Sequence, residues 1–259
     1  MHRDCAGQHG LGARRDSRHR THRRGRPGTR GGATSAGRRG SAARRTRQVH
    51  SRTDAASHLA DYLIWWADAR TTQEGLTYLS DRLGRKLAGD DITLYSDPQD
   101  PRLPACPFNS EGVPRKRVTW VDRGVFKQLW CDRWTAHKAG VEPVPGPSAT
   151  ILAGGEKTAS DLIATIERGI IVTHFWYIRS VKADETLVTG MTRDGTFLIE
   201  DGKIKHGVKN MRFNESCLGM LQRPAAIGKP GSCVDIELLP GLFPPIVVRD
   251  WNFVSSTDF

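Results

Sequence analysis

The chain is 259 residues long and carries a formal net charge of +11. The charge lies in the first 50 residues, where 14 arginines face only two acidic residues, Asp4 and Asp16; 25 basic and 26 acidic side chains remain in 51–259. Since no apolar run approaches the roughly 18 residues of a membrane span, no membrane association is predicted. The five cysteines form no C-x-x-C pair, which disfavours a zinc ribbon or a disulfide framework and predicts a reducing, cytoplasmic setting.

Residues 1–50 are predicted to be a disordered Arg/Gly-rich extension. They contain no aromatic residue, no isoleucine and nine glycines, so they cannot bury enough apolar surface to offset the entropy of ordering. Three interpretations of this tail stay open: an extension without selected function, such as a start site assigned too early; an arm that binds nucleic acid through phosphates; and a mitochondrial transit peptide. Residues 51–259 are predicted to form one domain with a sizeable core.

Few helices are predicted. The clearest covers 54–70, with Asp54 as N-cap and an apolar stripe at Leu59, Tyr62, Leu63 and Trp66. Because Trp65 and Trp66 are adjacent, one indole must leave that stripe, for another layer or for a partner. A shorter helix is predicted over 158–169, capped by Thr158 or Ser160 and ended by Gly169, and one or two helical turns over 214–221.

Strands account for most of the remaining pattern. Residues 116–121 and 125–130 flank Asp122-Arg123-Gly124 as a hairpin, and Asp-Gly pairs at 194–195 and 201–202 are predicted turns of a meander. Further strands are predicted at 91–98, 170–181 and 244–256, and proline-rich loops at 103–114 and 142–149. The predicted fold class is α+β, a mostly antiparallel β-sheet domain with a few short helices.

The residues alone assemble no active site. The chain lacks H-E-x-x-H, G-x-S-x-G, G-x-x-x-x-G-K-[ST] and G-x-G-x-x-G. His174 is predicted to be a core histidine, and His137 and His206 to be solvated. Asp90 and Asp91, if they lie on a strand, would point to opposite faces. No catalytic, cofactor-binding or metal-ligating residue is therefore assigned.

Several ordered motifs resemble the C-terminal domain of the TldD/PmbA metallopeptidase family. The longest is 166–216, which contains GIIVTHFWYIRSV, GMTRDGTFLIEDGKI and VKNMRFNES. The other matches, in the same order as in the family, are SDRLGRKL (80–87), 91–97, FNSEGVPRKR (108–117), 123–146 and the terminal VVRDWNFVSSTDF. The resemblance covers about residues 55–259, and the family's larger N-terminal domain has no counterpart in this sequence.

The resemblance implies a subunit without metal ligands. Catalytic, TldD-like members carry an H-E-x-x-x-H helix and a Cys ligand near the C-terminus. By order along the chain, that helix corresponds to about 59–70, which holds neither His nor Glu. The chain is therefore expected to be a PmbA-like or TldE-like member that binds no cofactor itself. Cys233, near the position of the ligand Cys, is expected to be an ordinary buried thiol.

Partners follow from the same resemblance. A TldD-like homologous subunit is expected to supply zinc and to form a heterodimer around a proteolytic chamber, with an unfolded or extended peptide as substrate. Strands 196–199 and 208–213 could receive that peptide at a sheet edge. Two alternatives remain at this stage: a nucleic-acid-binding module that uses the Arg-rich tail, and an inactive gene fragment.

Overall fold

The computed structural model describes residues 45–51, 53–233 and 240–256. Its helices are α1 (Thr53–Trp65), α2 (Ala69–Gln73), α3 (Arg133–Ala139), α4 (Ala159–Ala164) and α5 (Cys217–Gln222). Its strands are β1 (Arg45–Ser51), β2 (Leu94–Ser96), β3 (Val118–Asp122), β4 (Val125–Phe126), β5 (Thr150–Leu152), β6 (Arg168–Lys182), β7 (Leu187–Glu200), β8 (Lys203–Gly207), β9 (Met211–Ser216), β10 (Pro224–Ile227), β11 (Gly231–Cys233), β12 (Gly241–Phe243) and β13 (Ile246–Ser256).

Two sheets organise these strands. The larger has the order β1-β6-β7-β9-β13-β10, with β8 paired to β7, and β1 also pairs with β13, so five of its strands close into a ring. The smaller has the order β11-β12-β5-β2-β3-β4. Among the described pairings between these strands only β1–β6 and β12–β5 are parallel. The predicted α+β class with a mostly antiparallel sheet is confirmed.

Helix α1 lies at the centre of the core. Its alanines and leucines are buried and pack in the same cluster as side chains of both sheets, including Trp120 of β3 and Phe175 of β6. The Tyr62 hydroxyl donates to the Ile178 carbonyl oxygen at 2.7 Å, which ties the helix to β6. The buried alanines let α1 pack closely in the core. The packing and the hydrogen bond to β6 together fix the position of the helix and of the side chains that it carries.

Part of the segment predicted to be disordered is a strand. Residues 45–50, assigned from the sequence to the disordered extension, are part of β1, which pairs with β13 and β6. The run Q-V-H-S supplies a short strand whose Val49 and His50 are fully buried. The remaining predictions for the tail, disorder and nucleic-acid binding among them, fall on residues 1–44, which lie outside the described residues.

Three other local predictions were wrong. The helix predicted over 158–169 ends at Ala164, and Gly169 lies in β6. The helix predicted over 54–70 ends at Trp65, because the Asp68 side chain accepts from the Thr71 amide at 2.9 Å and starts α2. The pair Asp194–Gly195 is not a turn: both residues have positive φ inside the continuous strand β7, at an irregularity in its pairing with β6. Asp201–Gly202 does connect β7 to β8, with φ of 52° and 70°.

Helix α4 has a complete capping box, which yields a test of the local structure. Thr158 Oγ1 accepts from the Asp161 amide at 3.2 Å and the Asp161 carboxylate accepts from the Thr158 amide at 2.8 Å. Thr158→Ala is expected to lower the free energy of unfolding by about 1 kcal/mol. Ser160→Ala, two positions on in the exposed first turn, is the matched control and should change it by less than about 0.5 kcal/mol. Urea unfolding followed by circular dichroism measures both; equal losses would contradict the assignment of Thr158 as the cap.

None of the helices over the described residues combines the length and the apolarity that crossing a bilayer requires.

Candidate functional site

The candidate site is a cleft of about 700 Å³ at the C-terminal end of α1. Three further segments line it: the loop 109–115, the segment 130–132, and Gly146 with Pro147. These segments are distant in sequence and meet only in the fold. The cleft combines two indoles, three carboxyl groups and one guanidinium, which is the composition of a site that binds a polar ligand through a few placed groups on an apolar wall.

Helix α1 contributes Asp61 and Trp65. The two residues are four positions apart, so their side chains lie on the same face of the helix, one turn from each other. Trp66 is buried in the core, whereas Trp65 is 68% exposed, more than any other large hydrophobic side chain among the described residues. The indole that had to leave the apolar stripe is therefore that of Trp65, and it faces the cleft.

The second wall is the loop 109–115. Asn109 Oδ1 accepts from the amides of Glu111 and Val113 at 3.0 and 2.9 Å, which folds the N-S-E-G sequence into a compact turn. Arg115 Nη1 donates to the Gly146 carbonyl oxygen at 2.8 Å, so the guanidinium ties this loop to the neighbouring segment. The backbone hydrogen bonds hold the loop in one shape beside α1.

The third wall, 130–132, is fixed to α1 by hydrogen bonds. Trp130 Nε1 donates to the Ile64 carbonyl oxygen at 3.0 Å, and its amide donates to the Ala67 carbonyl oxygen at 3.0 Å. The Trp130 ring meets that of Trp65 edge to face, with 6.4 Å between centroids. The two indoles therefore form a continuous aromatic wall whose inner ring cannot turn freely.

Asp61 is the most perturbed acid of this cleft. Part of the residue remains open to the cleft, yet its carboxyl has no hydrogen-bond or ion-pair partner among the described residues. Burial alone raises its pKa to about 7, because no neighbouring donor or cation favours the charged form. A ligand that brings a donor or a cation would supply the partner that favours the charged form of this carboxyl.

The other charged groups of the cleft are already engaged. Asp132 caps α3, accepting from the Thr135 amide at 2.6 Å, and hydrogen bonds from Thr135 lower its pKa, so it is ionised at neutral pH. The Glu111 carboxylate lies 3.3 Å from the Arg133 amide. Burial lowers the pKa of Arg115 from its usual value. The lining thus holds three carboxyl groups and one guanidinium, and the guanidinium of Arg133 lies at its edge beside Glu111.

The buried histidines and Cys233 lie elsewhere in the fold. His174 was predicted to be a core histidine; it is half-buried, and its ring meets that of the buried His58 edge to face with 4.9 Å between centroids. Cys233 is buried as predicted, and its sulfur lies 3.2 Å from Ser57 Oγ. No three His, Cys, Asp or Glu side chains of the described chain form a group that could hold a metal ion. The described residues do not fit a zinc site, and no chemical step in this chain is assigned to one.

Two histidines, two adjacent aspartates and two strands were also assigned from the sequence. His137 and His206 are exposed, as predicted. Asp90 and Asp91 lie in an exposed turn rather than on a strand, and Asp90 pairs with Lys86. Strands 196–199 and 208–213 were predicted as possible sheet edges for a peptide. This was wrong for the residues that lie in β7 and β9: residues 196–199 of β7 are paired with β6 and β8, and β9, which includes 211–213, lies between β7 and β13.

Sequence reasoning missed Asp61. An isolated aspartate on the polar side of an amphipathic helix is indistinguishable from a solvated one, because the residues that cover it are about 50 to 85 positions further along the chain. The signal that was available is the i, i+4 spacing from Asp61 to the displaced Trp65.

Comparison with known proteins places most of the chain in one family. Residues 45–254 match the family model described as the PmbA/TldA metallopeptidase C-terminal domain. Among curated proteins, a metalloprotease of Archaeoglobus fulgidus is 37% identical over 183 residues, 65% of this chain and 40% of the relative. A metalloprotease of Methanothermobacter thermautotrophicus is 26% identical over 179 residues, 62% of this chain and 38% of the relative. The chain thus spans about 40% of the length of these relatives.

A solved structure shows the same fold. The crystal structure of TldE from Thermococcus kodakarensis superposes with a TM-score of 0.72 at 22% identity, covering 82% of this chain and 50% of that protein.

Proposed function

The chain belongs to the TldD/PmbA metallopeptidase family as a C-terminal domain, and from that premise we propose that it supports peptide hydrolysis by a TldD-like partner without binding metal itself. One observation carries the proposal. The α1 segment that corresponds in order to the H-E-x-x-x-H helix presents Asp61 and Trp65 to a cleft and contains neither His nor Glu over 59–70.

The proposed division of tasks between this chain and its partner has a chemical reason. A metal bound by the partner would supply polarisation of the scissile carbonyl and activation of water. A metal-free copy contributes a rigid wall that orients an extended peptide and keeps bulk water out. Orientation of this kind is worth a large share of a hydrolytic rate enhancement. The cleft beside α1, with its fixed indoles and its carboxyl without a partner, is the surface we assign to that task.

We also propose a cytoplasmic location. The cysteine pattern lacks the paired spacing of secreted frameworks, and Cys106, Cys131 and Cys217 are free thiols. A reducing compartment keeps such thiols in that state.

Reconstitution tests the proposed function. The full chain is purified alone and together with a TldD-like metallopeptidase subunit, and zinc content and peptide hydrolysis are measured for each sample. We expect less than about one tenth of a zinc per isolated chain, no hydrolysis by it, and a mixture at least about tenfold more active than the partner alone, because a correctly oriented substrate reacts faster. Stoichiometric zinc with hydrolysis in the isolated chain rejects the proposal, as does a mixture no more active than the partner.

A further inference from the structure

From the cleft at the end of α1 we infer the substrate class of the proposed function: the cleft binds the basic side chain, Arg or Lys, of an extended peptide. That the ligand is a peptide rests on the proposed function. The preference for a positive charge follows from the groups that line the cleft.

The carboxyl of Asp61 favours a cation as the ligand. Its carboxyl lies in the wall of the cleft with no donor or cation among the described residues. A carboxyl in such surroundings is costly to ionise, and the cost is removed when a cation binds against it. A basic side chain supplies both the charge and the N–H donors that this carboxyl lacks.

The exposed indole of Trp65 also favours a cation. Elsewhere in the described chain, basic side chains lie over two other indoles: Lys138 lies 3.9 Å from the ring centroid of the exposed Trp134, and Arg193 lies 4.3 Å from that of the half-buried Trp176. No cation of the described residues lies over Trp65, although it is the most exposed of these indoles. Indole faces attract guanidinium and ammonium groups most strongly among aromatic rings, so the face of Trp65 is available to a cation from outside.

The charges of the lining and the shape of the cleft both suit a basic side chain. Asp61, Glu111, Asp132, Cys131 and Arg115 are the titratable groups of the lining, and at its edge Arg133 Nη1 lies 3.4 Å from the Glu111 carbonyl oxygen and the charge of Arg70 acts on Asp132. Asp61 is therefore the carboxyl group of the lining that no described cation offsets, and it attracts a basic side chain and disfavours an acidic one. A long aliphatic stem that ends in a charged head also suits a cleft with an aromatic wall and a carboxyl, because the stem packs on the rings while the head reaches the charge.

Two variants and two matched controls isolate these contributions. Asp61→Asn keeps the size of the side chain and removes its charge, and Glu156→Gln makes the same change at an exposed acid in the loop before α4. Trp65→Ala removes the free indole, and Trp134→Ala removes an exposed indole that Lys138 already covers. Circular dichroism verifies that each variant is folded.

The measurement is binding to the full isolated chain, followed by indole fluorescence or calorimetry. The probes are acetyl-Ala-Ala-Arg-Ala-Ala-amide, the same peptide with citrulline in place of Arg, and Ala-Ala-Ala-Ala-Ala-amide with a free N-terminus. We expect the Arg peptide to bind at least about tenfold more tightly than the citrulline peptide. Asp61→Asn should remove that preference, Trp65→Ala should weaken binding about fivefold, and both controls should stay within about twofold of the wild type.

Three results would overturn the inference. They are equal affinity for the Arg and citrulline peptides, an Asp61→Asn variant that retains the preference, and binding of the uncapped alanine peptide in preference to the capped Arg peptide, which would make an N-terminal ammonium the occupant. Absence of binding by every probe would also reject it. Because no partner subunit is present, failure here is distinct from failure of the reconstitution with a TldD-like subunit.

Discussion

Asp61→Asn is expected to raise the free energy of unfolding at pH 8 by about 2 kcal/mol. In the folded chain the pKa of Asp61 lies at about 7, raised from an ordinary value of 3.8 by burial. Each pH unit of difference corresponds to 1.36 kcal/mol, and roughly half of the full value is expected because part of the residue is open to water. An asparagine at this position has no charge to desolvate, so the variant escapes the destabilisation.

The pH dependence gives the sign of this effect. Between pH 3.8 and pH 7 the folded state holds a proton that the unfolded chain releases, so the contribution of Asp61 to stability falls as the pH rises. The advantage of Asp61→Asn should therefore be largest at pH 8 and shrink steadily as the pH falls to about 4. Urea unfolding at several pH values measures it, with Glu156→Gln as control. A variant that is less stable than the wild type at pH 8 would show that the carboxylate is favourably solvated.

Trp251→Ala is expected to lower the free energy of unfolding by about 3–5 kcal/mol, the range for removing a fully buried aromatic side chain. Trp251 of β13 is 0% exposed. Its ring stacks on Phe175 of β6 with 5.2 Å between centroids and 4° between planes, and it also contacts Phe213 of β9. The substitution would open a cavity inside the closed ring of strands.

Trp65→Ala is the matched control for this loss, since it removes the same side chain from an exposed position; a change below about 0.5 kcal/mol is expected. If Trp251→Ala does not fold, Trp251→Phe serves in its place. It keeps a stacked ring and removes an indole N–H that finds no partner among the described residues, so a smaller loss of about 1 kcal/mol is expected. Equal losses at positions 65 and 251 would contradict the described core.

Local signals in the sequence predicted the features that depend on neighbouring residues. Thr158 caps α4 because the T-x-x-D pattern is complete within four residues. The Asp201–Gly202 turn lies between strands that are adjacent in sequence, so its own conformational preference decides the outcome. The same Asp-Gly chemistry at 194–195 produces an irregularity inside β7, since long-range pairing with β6 keeps the strand continuous there.

Features that depend on distant residues were not predictable. Residues 45–50 of β1 were assigned to the Arg-rich tail because their composition resembles that tail; pairing with β13, about 200 residues away, and with β6 makes them a strand. Helix α3 was missed, although Asp132 as N-cap and the left-handed Gly140 after its end mark its bounds. The burial of Asp61 depends on the loop 109–115 and on Trp130, so composition and periodicity could not show it.

The central claim is that this chain supplies the peptide-binding wall and the partner supplies the metal. Its most direct test is anomalous diffraction at the zinc absorption edge from a crystal of the chain in complex with a TldD-like subunit and the capped Arg peptide. The account predicts an anomalous peak bound only by side chains of the partner subunit, with the Arg side chain of the peptide against Asp61 and Trp65. A zinc peak coordinated by side chains of this chain would contradict it.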